Sequence, residues 1–157
     1  MLRPLRMAIG YIAFVAFSLG LTAPAVRAQE NVIGYIKTVV PDASILVGGR
    51  TIKAIPGMPI QTGYVLKTGP QGSMGVTFRD NTMMSFGPST ELVVDEYLYA
   101  PGKGDLKLGA TMARGTVQYI SGVIAKLKPD AVMLKTPSGI IGVRGTRYVA
   151  MVEESRP

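Results

Sequence analysis

The sequence contains no cysteine and no histidine. Histidine is the commonest general base and the commonest metal ligand in proteins. Zinc and iron–sulfur sites also depend on cysteine, so the sequence predicts no metal site and no cofactor. An enzyme is therefore the weakest functional hypothesis. Because disulfides are excluded as well, the fold must be stabilised by burial of apolar side chains, which a chain of this length can achieve.

Other motifs of binding and catalysis are also missing from the sequence. No run rich in Lys and Arg with interleaved aromatic residues occurs, which argues against a nucleic-acid-binding module. There is no Ser-x-x-Lys spacing and no Asp-x-Asp-x-Asp calcium pattern. The adjacent Asp95 and Glu96 lie in a predicted strand, where neighbours face opposite ways. We therefore expect them to make a poor carboxylate pair.

The first 28 residues have the composition of a signal peptide. Arg3 and Arg6 precede the uncharged run Met7–Leu21, which is shorter than the roughly 20 residues of a membrane-spanning helix. Small residues then lead to Ala28, after which cleavage would leave Gln29 as the new N-terminus. The alternative is an uncleaved membrane anchor.

Cleavage would leave a mature domain of residues 29–157 in the periplasm or outside the cell, without a stable membrane span. Loss of Arg3, Arg6 and Arg27 lowers the net charge from +7 to +4. A mildly basic exported domain is expected to meet an envelope protein or an acidic surface ligand such as lipid or polysaccharide, and no nucleic acid.

Period-two alternation of apolar residues continues through nearly the whole mature sequence, with turn residues at short intervals. This pattern predicts an all-β, antiparallel sandwich or barrel-like single domain. The first strand is predicted at Val32–Val40. Gly48-Gly49 is typical of a two-residue hairpin, and Asp80-Asn81 of a second tight turn. A single helical turn is predicted near Ile124–Lys128.

The second half of the sequence continues the alternation. Strands are predicted at 106–112, Gly115–Ser121 and Ala131–Thr136, followed by a turn at Pro137-Ser138-Gly139. The side chains expected to be mostly buried in a single core are those of Phe78, Phe86, Leu92, Leu108 and Tyr148.

The stretch "GIIGVRGTRY", Gly139 to Tyr148, contains two arginines among Ile, Val, Tyr and small residues that are typical of a buried strand. In a straight strand Arg144 and Arg147 would face opposite ways. A bulge at Arg144-Gly145 would point both outward, with Gly145 in the left-handed region. The inner face would then comprise Ile141, Val143, Thr146, Tyr148, Ala150 and Val152.

Two interpretations of the arginine pair remain open. In the first, the pair only reflects the register that a bulge imposes; in the second, the two guanidinium groups bind a carboxylate or phosphate together. A similar sequence, "ARGTVQY", occurs at residues 113–119 and is a weak indication of two similar hairpin arrangements.

The closing segment "TPSGIIGVRGTRYVAMV" resembles the C-terminal signature of the FecR domain family. Within it, Gly142, Arg144, Gly145 and Thr146 match the family's Gly-Val-Arg-Gly-Thr motif. "GSMGVTFRDNTMMSFGPSTELVV", Gly72 to Val94, resembles the family's central hairpin. There, Asn81 replaces the glycine of the usual Asp-Gly. The resemblance extends over roughly Gly34 to Val152.

The resemblance implies an all-β domain on the outer side of a bacterial inner membrane. In the family's namesake, the domain belongs to a sensor that relays a ferric-citrate transport signal to a sigma factor. That sensor has a cytoplasmic domain before its membrane helix and a further C-terminal region. Here only Met1–Arg6 precede the apolar run and the sequence stops at Pro157. We therefore carry over the fold and the compartment, but not sigma-factor regulation or iron sensing.

Three functional hypotheses follow. The first is an exported, non-enzymatic binding or interaction domain of the cell envelope, with a sensing or scaffolding role. The second is an envelope structural protein that self-associates through its sheet edges. The third, an enzyme, is the least supported.

Overall fold

A computed structural model of the protein describes residues 31–153. The predicted signal peptide and its cleavage site between Ala28 and Gln29 lie outside the described residues. Within them the chain is all-β, as the alternation predicts, with one short helix, α1 (Val123–Leu127). The strands are β1 (Val32–Val40), β2 (Ala43–Val47), β3 (Arg50–Lys53), β4 (Pro59–Gln61), β5 (Val65–Thr68), β6 (Ser73–Phe78), β7 (Met83–Phe86), β8 (Glu91–Ala100), β9 (Asp105–Ile120), β10 (Val132–Thr136), β11 (Gly139–Gly142) and β12 (Arg147–Val152).

The strands form one curled sheet. Neighbouring strands follow the order β3-β2-β5-β8-β9-β7-β6-β1-β4, and every pair along this path is antiparallel. β10 pairs with β9 in parallel and with β11 antiparallel, while β12 pairs antiparallel with β9. Side chains from β2, near one end of this path, and from β4, at the other end, share one buried cluster, so the curled sheet encloses a single core.

β9 is the strand on which the two halves of the sheet meet. Its first half lies between β8 and β10, and its second half lies between β7 and β12. At the junction, Gly115 has a φ of +95° and a bulge shifts the register with β8. The prediction of two separate strands here is wrong, because Gly115 and the bulge redirect the strand without ending it.

Thr90 explains why position 115 requires glycine. A Cβ added to Gly115 would collide with the Cα of Thr90, so no other residue fits without a backbone shift. The Thr90 hydroxyl accepts a hydrogen bond from Thr116 N–H at 3.0 Å and lies 2.8 Å from the Gly87 carbonyl, to which it donates. The bend in β9 is thus packed directly against the start of β8.

The local predictions from turn chemistry are confirmed. Gly48 and Gly49 join β2 to β3 with φ values of +54° and +79°, and Asn81 adopts a φ of +65° between β6 and β7. The predicted helical turn corresponds to α1. Phe78, Phe86, Leu92 and Leu108 are buried, whereas Tyr148 is only partly buried and stacks on Tyr119.

Asp95 and Glu96 depart from the expected alternation. A bulge between Val94 and Glu96 turns both carboxylates to the outer surface, so the prediction that they face opposite ways is wrong. They nevertheless take different partners. The Thr111 hydroxyl donates to Asp95 at 2.6 Å, and the Lys107 ammonium lies 2.7 Å from Glu96.

Candidate functional site

The segment with the two arginines is not one bulged strand. β11 pairs with β10, and β12 pairs with β9, while residues 143–146 connect them. The predicted bulge at Arg144-Gly145 is therefore wrong. The chain uses these four residues to pass from one half of the sheet to the other. Val143 is buried at the crossing, and Gly145 has a φ of +131°.

This crossing changes which side chains face the core. Of the residues predicted to point inward, Val143 and Ala150 are buried and Tyr148 and Val152 are partly buried. Ile141 and Thr146 are exposed, so their predicted inward orientation is wrong. The reason is that β11 is the outermost described strand of its half of the sheet, and its register is independent of that of β12.

Backbone contacts fix the crossing at both ends. Val143 N–H donates to the Val132 carbonyl at 3.3 Å, and Ser121 N–H donates to the Thr146 carbonyl at 2.9 Å. The Ser121 hydroxyl also donates to the Gly145 carbonyl at 2.6 Å. A Cβ on Gly145 would meet nothing within 4 Å. Glycine is thus favoured here for its φ angle and not for lack of space.

Arg144 and Arg147 are both exposed, in agreement with the predicted outward orientation. With the Gln118 amide oxygen facing it, Arg147 donates from Nε and Nη2 at 3.2 and 2.6 Å. No ion pair within residues 31–153 includes either arginine. Both positive charges are therefore free of acidic partners in the described part of the chain.

Exposed apolar side chains occur on both strands that flank the crossing. Val149 and Met151 on β12 are 60% and 70% exposed, and Ile140 on β11 is 66% exposed. Among residues 31–153, β12 pairs with β9 alone, so its second edge offers unpaired backbone groups. We call Ile140, Arg144, Arg147, Val149 and Met151 the C-terminal edge.

A second polar arrangement, at Asp80, was missed by sequence reasoning. The Asp80 carboxylate is fully buried. Its Oδ1 accepts from the Tyr97 hydroxyl at 3.1 Å and from Thr82 N–H at 3.3 Å. Its Oδ2 accepts from the Thr82 hydroxyl at 2.7 Å and from Ile124 N–H at 3.2 Å. The Asp-x-Thr spacing in the β6–β7 turn was the available signal.

The Asp80 arrangement joins three parts of the fold. It ties the β6–β7 turn to Tyr97 on β8 and to the first turn of α1, where Val123 N–H also donates to the Asp80 carbonyl at 2.7 Å. Burial, and then the nearby Asp80 carboxylate, raise the pKa of Tyr97 far above its usual range. All four hydrogen bonds to the carboxylate come from the protein itself, so we interpret Asp80 as part of the scaffold.

Within residues 31–153, no group of three or more acidic side chains could hold a metal ion. The same residues contain no helix that is long and apolar enough to span a membrane. Arg144 of the C-terminal edge is the exposed charged side chain of the Gly-Val-Arg-Gly-Thr motif.

Comparison with known proteins identifies the family. A family model described as FecR protein matches residues 64–157, which is more than half of the chain. The chain belongs to the FecR protein family. No curated protein and no solved structure matches it. FecR domains are generally periplasmic, and membership indicates an envelope-related regulatory or sensing role.

The match places both arrangements inside the FecR region. Asp80 and the C-terminal edge lie within residues 64–157, whereas β1 to β4 precede the matched segment. These first strands are nevertheless part of the same sheet, because β1 pairs with β6 and β2 pairs with β5. The FecR fold of this chain is therefore completed by its N-terminal strands.

Proposed function

We propose that this FecR domain is an exported, non-enzymatic interaction module of the cell envelope, and that the C-terminal edge binds its partner. One observation carries the proposal. Within residues 31–153, Arg144 and Arg147 have no acidic partner, Val149 and Met151 follow Arg147 on β12 with exposed side chains, and β12 pairs with β9 alone.

The three features of the C-terminal edge complement one another. An unpaired strand edge can add an extended peptide through main-chain hydrogen bonds. Val149 and Met151 supply apolar contact area, and exposed apolar strands of this kind are prone to association unless they are covered. Arg144 and Arg147 favour carboxylates, which a guanidinium group can bind through two parallel hydrogen bonds. The partner is therefore an envelope protein with an extended, acidic segment, and the binding event serves sensing or scaffolding.

Crosslinking in the native cell envelope tests this proposal. A protein should be recovered with the wild-type domain and lost with the double variant Arg144→Glu, Arg147→Glu. The single variant Arg50→Glu is the matched control, because Arg50 is exposed on the β2–β3 hairpin. Equal recovery of the same protein with the double variant would contradict the proposal. Loss with Arg50→Glu as well would indicate a general charge effect instead.

The apolar part of the C-terminal edge favours a second candidate function, self-association of an envelope structural protein. Two β12 strands could pair edge to edge about a twofold axis and cover Val149 and Met151 together. Sedimentation velocity over a range of concentrations tests this. A dimer that Met151→Lys disrupts, but Leu98→Lys on β8 does not, would support self-association, since both side chains are exposed in the wild type. A monomer at every concentration would exclude it.

A further inference from the structure

A row of four charged residues and one serine crosses the outer face of the sheet from β3 to β9. Strand register places Lys53 on β3 opposite Ser44 on β2, and Ser44 opposite Lys67 on β5. The row continues to Glu91 on β8 and Arg114 on β9. Directly paired residues share one face of a sheet, so these five side chains stand side by side.

The charges along this row do not cancel. Lys67 lies 3.3 Å from Glu91, and Arg114 lies 3.7 Å from the same carboxylate oxygen. One carboxylate therefore faces two cations. No ion pair within residues 31–153 includes Lys53, which stands at the open end of the row. The β3 end of the row thus presents the Lys53 ammonium without an ion-pair partner among the described residues, whereas Lys67 is paired with Glu91.

A groove of about 550 Å³ lies over this end of the row. Its lining includes Lys53, Lys67, Ser44, Thr51 and Asp42. This volume is within the range of sites for small organic ligands and exceeds what a lone anion needs. The residues that line the groove thus include two lysines, one aspartate and three hydroxyl residues, of which Thr68 donates its hydroxyl to the Gly87 carbonyl.

The end of the groove is built rigidly. Asp42 has a φ of +73°, and its carbonyl accepts from Gly69 N–H at 2.5 Å. A Cβ on Gly69 would lie 2.7 Å from the Asp42 side chain, and one on Gly72 would lie 2.7 Å from the Asp42 carbonyl oxygen. The buried Thr68 hydroxyl donates to the Gly87 carbonyl at 2.6 Å, which secures the end of β5. A preformed groove costs little reorganisation when a ligand binds.

We propose that this groove binds an acidic sugar. The phosphate or carboxylate group of the sugar lies between Lys53 and Lys67, where the two cations flank Ser44. Sugar hydroxyl groups donate to the Asp42 carboxylate and exchange hydrogen bonds with Ser44 and Thr51. Asp42 is the feature that favours a sugar over a simple anion, because its carboxylate would repel an ion that brings no hydrogen-bond donors.

Nuclear magnetic resonance titration of isotope-labelled protein tests the proposal. The probes are glucuronate and phosphorylated glucose, with glucose and inorganic phosphate for comparison. Both acidic sugars should shift the amide signals of Ser44, Lys53 and Lys67 in a saturable manner. Glucose and phosphate should each bind at least about tenfold more weakly, because glucose lacks the anionic group and phosphate lacks the sugar hydroxyl groups.

Matched variants separate this site from general attraction to a basic surface. Lys53→Gln should weaken binding about fivefold, as expected for loss of one exposed charge contact, and Lys53→Arg should retain it. Lys103→Gln, in the exposed β8–β9 connection, should leave binding unchanged. Three results would each overturn the proposal: unchanged binding by Lys53→Gln, shifts spread over all exposed lysines, or equal affinity for phosphate and phosphorylated glucose.

Discussion

The Tyr97 hydroxyl and the Asp80 carboxylate lie 3.1 Å apart and join the middle of β8 to the β6–β7 turn. The same hydroxyl accepts a hydrogen bond from Asp80 N–H at 2.9 Å, so the two residues are bound to each other twice. Because the carboxylate also accepts from Thr82 and Ile124, its removal would leave several buried donors without an acceptor.

Asp80→Ala should therefore lower the free energy of unfolding by at least about 3 kcal/mol, since each buried unsatisfied group costs roughly 1–3 kcal/mol. Urea unfolding measures the loss. Asp130→Ala, at an exposed position in the 3₁₀ turn Pro129–Ala131, is the control and should change stability by less than about 0.5 kcal/mol. Similar effects of the two variants would show that the Asp80 arrangement does not stabilise the fold.

The two Arg-Gly-Thr sequences should differ in their tolerance of a side chain. Gly145→Ala should cost on the order of 1 kcal/mol, because the φ of +131° is strained for alanine but the surroundings are open. Gly115→Ala should cost about 3 kcal/mol or more, since its Cβ would collide with Thr90 in addition to the backbone strain. Thermal unfolding of the two variants gives the comparison. Equal losses would contradict the structural difference between the two positions.

Phe78 is expected to be a central residue of the core. Its ring is buried and stacks on Tyr97 with centroids 5.8 Å apart. Phe78→Ala should lower the free energy of unfolding by about 3–5 kcal/mol. Leu98→Ala, one residue beyond Tyr97 but exposed, should have an effect below about 0.5 kcal/mol. Denaturant unfolding of both variants shows whether the loss of stability depends on burial of the side chain or only on its apolar character.

The arginines of the C-terminal edge should contribute little to stability. Arg144→Ala and Arg147→Ala are each expected to change the free energy of unfolding by less than about 0.5 kcal/mol, because both side chains are exposed. The Gln118 contact gives Arg147 the larger of the two small effects. Thermal melts measure both. A large loss from Arg144→Ala would show that its guanidinium has a structural role.

Stability should fall in alkaline solution. Burial is the main cause that raises the pKa of Tyr97, Tyr119 and Tyr148 above its ordinary value. In the unfolded chain these hydroxyl groups ionise at about pH 10. The folded state then retains protons that the unfolded state loses, so the stabilisation is complete below about pH 10 and is lost as the pH rises towards the folded values. The free energy of unfolding, measured across this pH range, should decline more steeply with pH for the wild type than for Tyr148→Phe.

Much of the fold could be predicted because period-two alternation reports burial directly. Val32–Val40 was predicted with the bounds that β1 has, and Met74, Val76 and Phe78 share the buried face of β6. The turns at Gly48-Gly49 and Asp80-Asn81 were also predictable, since their backbone requirements are local.

The error at Asp95 and Glu96 arose from a bulge within β8, and the other errors arose where a strand changes its partner. Alternation continues through Gly139–Val152, but it does not indicate that β11 pairs with β10 while β12 pairs with β9. The row of Lys53, Ser44 and Lys67 could not be predicted either, because it depends on how β2 is aligned with β3 and with β5. The sequence of a single strand does not specify that alignment. At the candidate site, the prediction that Arg144 and Arg147 are exposed is correct, but it was argued from a bulge, whereas the structure places them at and beside a crossing between the halves of the sheet.

The shared strand β9 has a consequence for how the chain reaches its native state. β9 pairs with β7 and β8, which precede it, and with β10 and β12, which follow it. During synthesis, which proceeds from the N-terminus, β9 can pair with β10 and β12 only after these later strands have emerged. We therefore expect slow folding governed by contacts distant in sequence, and loss of structure in both halves together when β9 is disrupted.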